Sequence, residues 1–138
     1  MPKVIAVKIA LPRLLLLCYA LGLGGIIYLA NHGGGSLWNF ITDLPFGDKL
    51  GHIGLVGTLS LLLNIVLGGR RAPGKFSRIM LGSLVVAIVM TLEECSQAFF
   101  PARSLDLLDG IANLAGVAAG ECLARLLLRA KQTPSAAA

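Results

Sequence analysis

The chain has 138 residues, of which 56% are hydrophobic and only 14% charged, with a mean hydropathy of +0.81. A soluble domain carries roughly a quarter of its residues as Asp, Glu, Lys and Arg, so this composition excludes a single water-wrapped globule and implies lipid as solvent. The net charge of +5 does not mark a nucleic-acid partner, because the basic residues sit in short runs between apolar stretches.

The first apolar segment covers residues 14–30 and follows Lys3, Lys8 and Arg13. It exceeds a signal-peptide core and no clean small-residue cleavage site follows, so it is expected to stay in the membrane. Residues 31–47 are Gly-rich and hold His32, Trp38, Phe40 and Phe46. Such a loop suits the lipid headgroups, with His32 solvated.

A second span is expected over residues 48–68, ending at a breaker cluster with Arg70, Arg71, Pro73, Gly74 and Lys75. The third is expected over 77–99. Its purely apolar part, 79–92, is too short for a bilayer core of about 30 Å, which needs roughly 20 residues. The helix must therefore carry Glu93, Glu94 and Gln97 into or to the edge of the membrane. After a turn at Phe100, Pro101 and Ala102, Ser104 is placed to cap a fourth span over 105–128. Residues 132–138 are expected to fray. Cys18, Cys95 and Cys122 show neither disulfide nor zinc spacing and read as small apolar packing residues.

The expected architecture is one all-α domain over residues 1–138, an integral membrane four-helix bundle. Of the twelve Lys and Arg residues, all but Lys49 and Arg103 fall on one side of these spans, opposite every acid except Glu121. The positive-inside rule then places both termini in the cytoplasm. Glu121 and Arg125 have the favourable i,i+4 order for a helix ion pair, with no catalytic role assigned.

This orientation gathers three polar groups at the outer ends of the spans. Span two contributes Asp48, Lys49 and His52; span three contributes Glu93, Glu94 and Gln97; span four contributes Arg103, Asp106, Asp109 and Asn113. Asp48 and His52 share a helix face, and Asp106, Asp109, Asn113, Gly116 and Gly120 form one stripe in steps of three and four. Asn113 lies on the order of 10 Å deeper than Asp106 at about 1.5 Å per residue. Gly116 and Gly120 form a G-x-x-x-G step that admits a second helix closely. A charge at mid-membrane costs about 2.5–3.5 kcal/mol, so Glu94 and Asp109 would be paired or protonated. Arg103 is placed to meet Glu94 or Asp106, with Lys49 as the second cation. His52, Glu94 and Asp109 are the best candidates for acid–base work. No metal and no cofactor are assigned, since carboxylates without a second histidine are weak ligand evidence.

The series Asp48-Lys49-x-x-His52, Glu94-x-x-Gln97, Pro101-x-Arg103-x-x-Asp106-x-x-Asp109 and Asn113-x-x-Gly116-x-x-x-Gly120 resembles the VanZ-like membrane proteins over about half of the chain. The sequence departs at Ile53 and Val56, where aromatic residues would follow the histidine, and at Ala102, where glycine is common. The resemblance implies a multi-pass protein of the bacterial inner membrane, with a link to teicoplanin and related envelope antibiotics and no settled reaction. Three functions are then open: binding of membrane lipids or a lipid-linked envelope precursor, an intramembrane headgroup enzyme, or an assembly subunit whose polar network only holds the helices. Oligomeric state has no signal in the residues.

Overall fold

The computed structural model describes residues 2–34 and 43–130, with side chains from residue 10 onward. Among these residues the chain forms four α-helices: α1 Pro2–Asn31, α2 Gly47–Val66, α3 Leu81–Ser96 and α4 Leu107–Ala130. Short 3-10 turns at Gly74–Phe76 and Gln97–Phe99 precede and extend α3. The segments Ala10–Asn31, Gly47–Val66, Leu81–Phe99 and Leu107–Ala130 are each long and apolar enough to cross a membrane. At about 1.5 Å per residue they match a hydrocarbon core of about 30 Å. The molecule is an all-α bundle with the build of a multi-pass membrane protein.

Several helix boundaries differ from the sequence reading, and α1 already begins at Pro2, well before residue 14. α2 ends at Val66 rather than 68, because Gly68 and Gly69 take positive φ of 62° and 72° and turn the chain out of the helix. α3 starts at Leu81 rather than 77. The backbone of 70–72 pairs with that of 79–81, through Ala72 N–H to Ile79 O at 3.0 Å and Leu81 N–H to Arg70 O at 2.8 Å. Those groups are committed to a bridge, so helical bonding begins only beyond it. α4 starts at Leu107 rather than 105, and its cap is Asp106 instead of Ser104: Asp106 Oδ1 accepts from Leu108 N–H at 2.8 Å.

α2 and α4 make the most extensive contact, α3 packs on both, and α1 leans on α2. Val56, Val86, Met90 and Val117 form the buried core, flanked by Ile27, Leu59, Leu63 and Ala87. Leu14, Leu21, Leu92, Leu108 and Leu126 are exposed, as side chains facing lipid would be. Cys18, Cys95 and Cys122 share those exposed faces; they are not interior packing residues, and an apolar thiol is tolerated there.

Close approach of α2 and α4 rests on glycine. A Cβ on Gly116 would stand 2.6 Å from Ile53 O and 3.1 Å from Gly57 N, and one on Gly120 would collide with Gly57 O. Below this seam, Ser60, Asn64 and Ser83 make a fully buried polar layer. Asn64 Nδ2 donates to Ser83 Oγ at 2.8 Å, and Ser60 Oγ donates to Val117 O at 3.2 Å. These residues were read only as part of apolar spans. Their signal was the four-residue step His52, Val56, Ser60, Asn64, which marks one face of α2.

At the opposite end from the polar cluster described below, Glu121 binds Arg125 as an ion pair. It also accepts from Met80 N–H at 3.2 Å, holding the start of α3. Arg125 additionally donates to Arg78 O at 2.6 Å.

Candidate functional site

α2 and α4 run parallel and α3 runs back against them, so the first turns of α2 and α4 meet the last turn of α3. His32, at the end of α1, stacks on Tyr28 with ring centroids 4.2 Å apart and lies 6.4 Å from the Phe100 ring, which sets the end of α1 beside the same turn. Phe46, the residue before α2, is 81% exposed, whereas Trp38 and Phe40 of the expected headgroup loop lie outside the described residues, as does the tail 132–138.

All ten candidate polar residues gather at this end, as two linked groups. The first centres on Lys49. Its ammonium donates to Asp48 Oδ2 at 3.0 Å, to Asp106 Oδ2 at 2.7 Å and to Asp109 Oδ1. An ammonium has three protons, and all three are committed to carboxylates from α2, from the connection before α4, and from the first turn of α4. Asp109 is only 7% exposed, so its pairing with Lys49 offsets much of the cost of burying a carboxylate.

His52 lies one turn further into α2. Its Nδ1 is 2.9 Å from Asn113 Oδ1. An amide oxygen only accepts, so in this contact Nδ1 is the donor. The other ring nitrogen, Nε2, faces Asp109 Oδ2 at 3.7 Å and Asp48 Oδ1 at 3.9 Å. One ligand atom from each of Asp48, His52 and Asp109 lies within 4.8 Å of the others.

The second group centres on Gln97, which is fully buried. Its Nε2 donates to Glu93 Oε2 at 3.1 Å and Glu94 Oε2 at 3.2 Å, while its Oε1 accepts from Arg103 Nε at 3.3 Å. Arg103 thus meets Gln97 rather than Glu94 or Asp106. The planar fork has a neutral amide beside it, and its two terminal nitrogens make no hydrogen bond to the described residues. The groups join where Asp106 N–H donates to Glu94 Oε1 at 3.3 Å.

A groove of about 390 Å³ opens between α3 and α4 below this cluster. Met90, Leu107, Leu114 and Val117 make it apolar, and Glu94 and Asn113 reach it from the polar cluster. Asn113 is 3% exposed and its Nδ2 has no hydrogen-bond partner among the described residues.

Chemically, the arrangement offers a guanidinium whose terminal nitrogens are unbonded among the described residues, an imidazole nitrogen facing two carboxylates, and carboxylates in excess of cations. Cys95 lines the groove beside Glu94, but no thiol or hydroxyl among the described residues is hydrogen-bonded to His52 as an activated nucleophile would be. Comparison with family models, curated proteins and solved structures yields no match to this chain.

Proposed function

We propose that the chain is a VanZ-like protein of the bacterial inner membrane that binds a cell-envelope lipid, or a lipid-linked precursor, at the polar end of its bundle. The observation carrying this reading is the contrast between the two cations. Lys49 is saturated by three carboxylates, whereas the terminal nitrogens of Arg103 make no hydrogen bond among the described residues and can take a phosphate in bidentate fashion. Glu93 is partly exposed and can take an ammonium group, so a zwitterionic headgroup suits the local charge better than a purely anionic one. The apolar groove between α3 and α4 gives an acyl chain a seat directly below.

Orientation is part of the proposal. Arg70, Arg71, Lys75, Arg78, Arg125 and Arg129 lie toward the other end, which the positive-inside rule assigns to the cytoplasm. Binding would then occur from the outer leaflet. A link to glycopeptide or lipopeptide tolerance follows only if the bound lipid belongs to the antibiotic's target pathway.

Lipid extraction of the purified protein tests the reading. Zwitterionic lipid should co-purify with the unsubstituted chain and fall several-fold in Arg103→Gln. An unchanged lipid profile in that variant defeats it.

The saturation of Lys49 favours a second reading, in which the network only assembles the bundle. A purely structural network tolerates joint replacement by apolar groups of similar shape. Lys49→Met combined with Asp106→Leu and Asp109→Leu should then retain both fold and cellular function, whereas a headgroup site would lose function with the fold intact.

A further inference from the structure

We propose that Asp48, His52 and Asp109 form a binding site for one divalent transition-metal ion, of which Mn²⁺ and Zn²⁺ fit the ligand set. The site goes beyond the lipid reading and does not depend on it.

Local geometry prepares the ligands. Asp48 and His52 stand one turn apart on α2, and Asp109 faces them from the first turn of α4, at a separation that the Gly57–Gly116–Gly120 seam holds small. Lys49 takes Oδ2 of Asp48 and Oδ1 of Asp109. The remaining oxygens, Asp48 Oδ1 and Asp109 Oδ2, are the ones that face His52 Nε2 at 3.9 and 3.7 Å. Those distances are too long for hydrogen bonds. A shared ion would draw the three ligand atoms slightly together, since two ligands each about 2.1 Å from one centre lie roughly 3–3.5 Å apart in tetrahedral or octahedral coordination.

Three further observations point to a cation. Asp109 is 7% exposed, and its Oδ2, the oxygen that Lys49 does not take, is directed at His52 Nε2. His52 Nδ1 bonds to Asn113 Oδ1, the kind of outer-shell contact that orients a metal-binding imidazole, here with Nε2 turned toward Asp48 and Asp109. Charge supplies the third. Around the site stand Asp48 and Lys49 on α2, Glu94 on α3, Asp106 in the connection and Asp109 on α4, while Glu93 and Arg103 are bound to Gln97. Carboxyl groups outnumber the permanent cations, and the one ammonium inside the cluster has no proton left to give.

The donor set selects the ion. One imidazole nitrogen with two carboxylate oxygens suits Mn²⁺ or Zn²⁺ better than Ca²⁺, which prefers oxygen alone, or Cu⁺, which prefers sulfur. Three protein ligands leave positions open for water or a phosphate oxygen.

Mn²⁺ alone is the probe, titrated into the purified full-length chain in detergent and followed by electron paramagnetic resonance. The expected result is one bound Mn²⁺ per chain, with pulsed spectra showing coupling to a histidine ¹⁴N, and displacement by Zn²⁺. His52→Gln should abolish the coupling and weaken binding at least tenfold, and Asp109→Asn should weaken it similarly. Asp43→Asn, an exposed acid just before α2, should bind as the unsubstituted chain does. Absence of bound Mn²⁺ at millimolar metal overturns the site. So does bound Mn²⁺ without nitrogen coupling in the unsubstituted protein, a reading that needs no variant to fold. Equal affinity in the His52 and Asp109 variants also overturns it. Loss of co-purified lipid in Arg103→Gln leaves the Mn²⁺ signal in place, so the two proposals fail separately.

Discussion

The Lys49 ammonium lies 2.7 Å from Asp106 Oδ2, a residue 57 positions later in the chain, and so ties the first turn of α2 to the cap of α4. The same Asp106 accepts from Leu108 N–H through its other oxygen and donates its own N–H to Glu94. One residue therefore links three helices at the polar end.

Removing the lysine should be costly. In Lys49→Met, Asp109 loses its ammonium while remaining buried, and the expected loss is about 2–3 kcal/mol, toward the lower end for a broken buried pair because Lys49 is partly exposed. Reversible unfolding in mixed micelles should show it. A variant as stable as the parent would mean that these carboxylates are neutral.

The glycine seam makes a steric prediction. Gly120→Val drives a side chain into the Gly57 carbonyl and should destabilise by about 1–3 kcal/mol or more through overpacking. Gly24→Ala on α1, where a Cβ meets nothing within 4 Å, should be neutral or stabilising. Equal effects in the same unfolding assay would contradict the α2–α4 contact.

The buried Ser60–Asn64–Ser83 layer should contribute modestly. Ser83→Ala leaves Asn64 Nδ2 with only the longer 3.5 Å contact to Ser60 Oγ. Interhelical hydrogen bonds in membranes average roughly 0.6 kcal/mol, with maxima near 1.7, and the variant should fall in that range.

Glu121 is expected to control the start of α3. Glu121→Ala removes the acceptor for Met80 N–H and the partner of Arg125. Hydrogen exchange should accelerate at Met80 and in the turn before it, while the core at Val86 and Met90 stays protected. Uniform acceleration would mean that this contact supports the whole bundle.

A reporter fused after Ala102 should report the non-cytoplasmic side, if the positive-inside rule governs this chain. Activity in the cytosol would invert the proposed orientation without altering the bundle.

What composition and periodicity determined was the class of molecule: too few charges for a soluble surface, four apolar segments of spanning length, and charged residues confined to the ends of those segments. Those properties are local, because a helix in lipid satisfies its own backbone and shows its solvent preference residue by residue. The stripe on α4 was legible for the same reason. Helix ends were less so: the start of α3 is set by backbone pairing between residues 70–72 and 79–81, and the cap of α4 fell to Asp106 rather than Ser104.

Pairing among the polar residues was decided only by the tertiary structure. Arg103 and Lys49 looked equivalent in the sequence, yet one is saturated by three aspartates and the other holds a neutral Gln97. The difference comes from the rotation and depth at which α2 and α4 meet, and that is fixed by Gly57, Gly116 and Gly120 on facing helices. Which oxygen of Asp109 is taken by Lys49 and which is left facing His52 depends on that contact between segments far apart in the chain, because charge pairing is a matter of ångströms and not of sequence spacing.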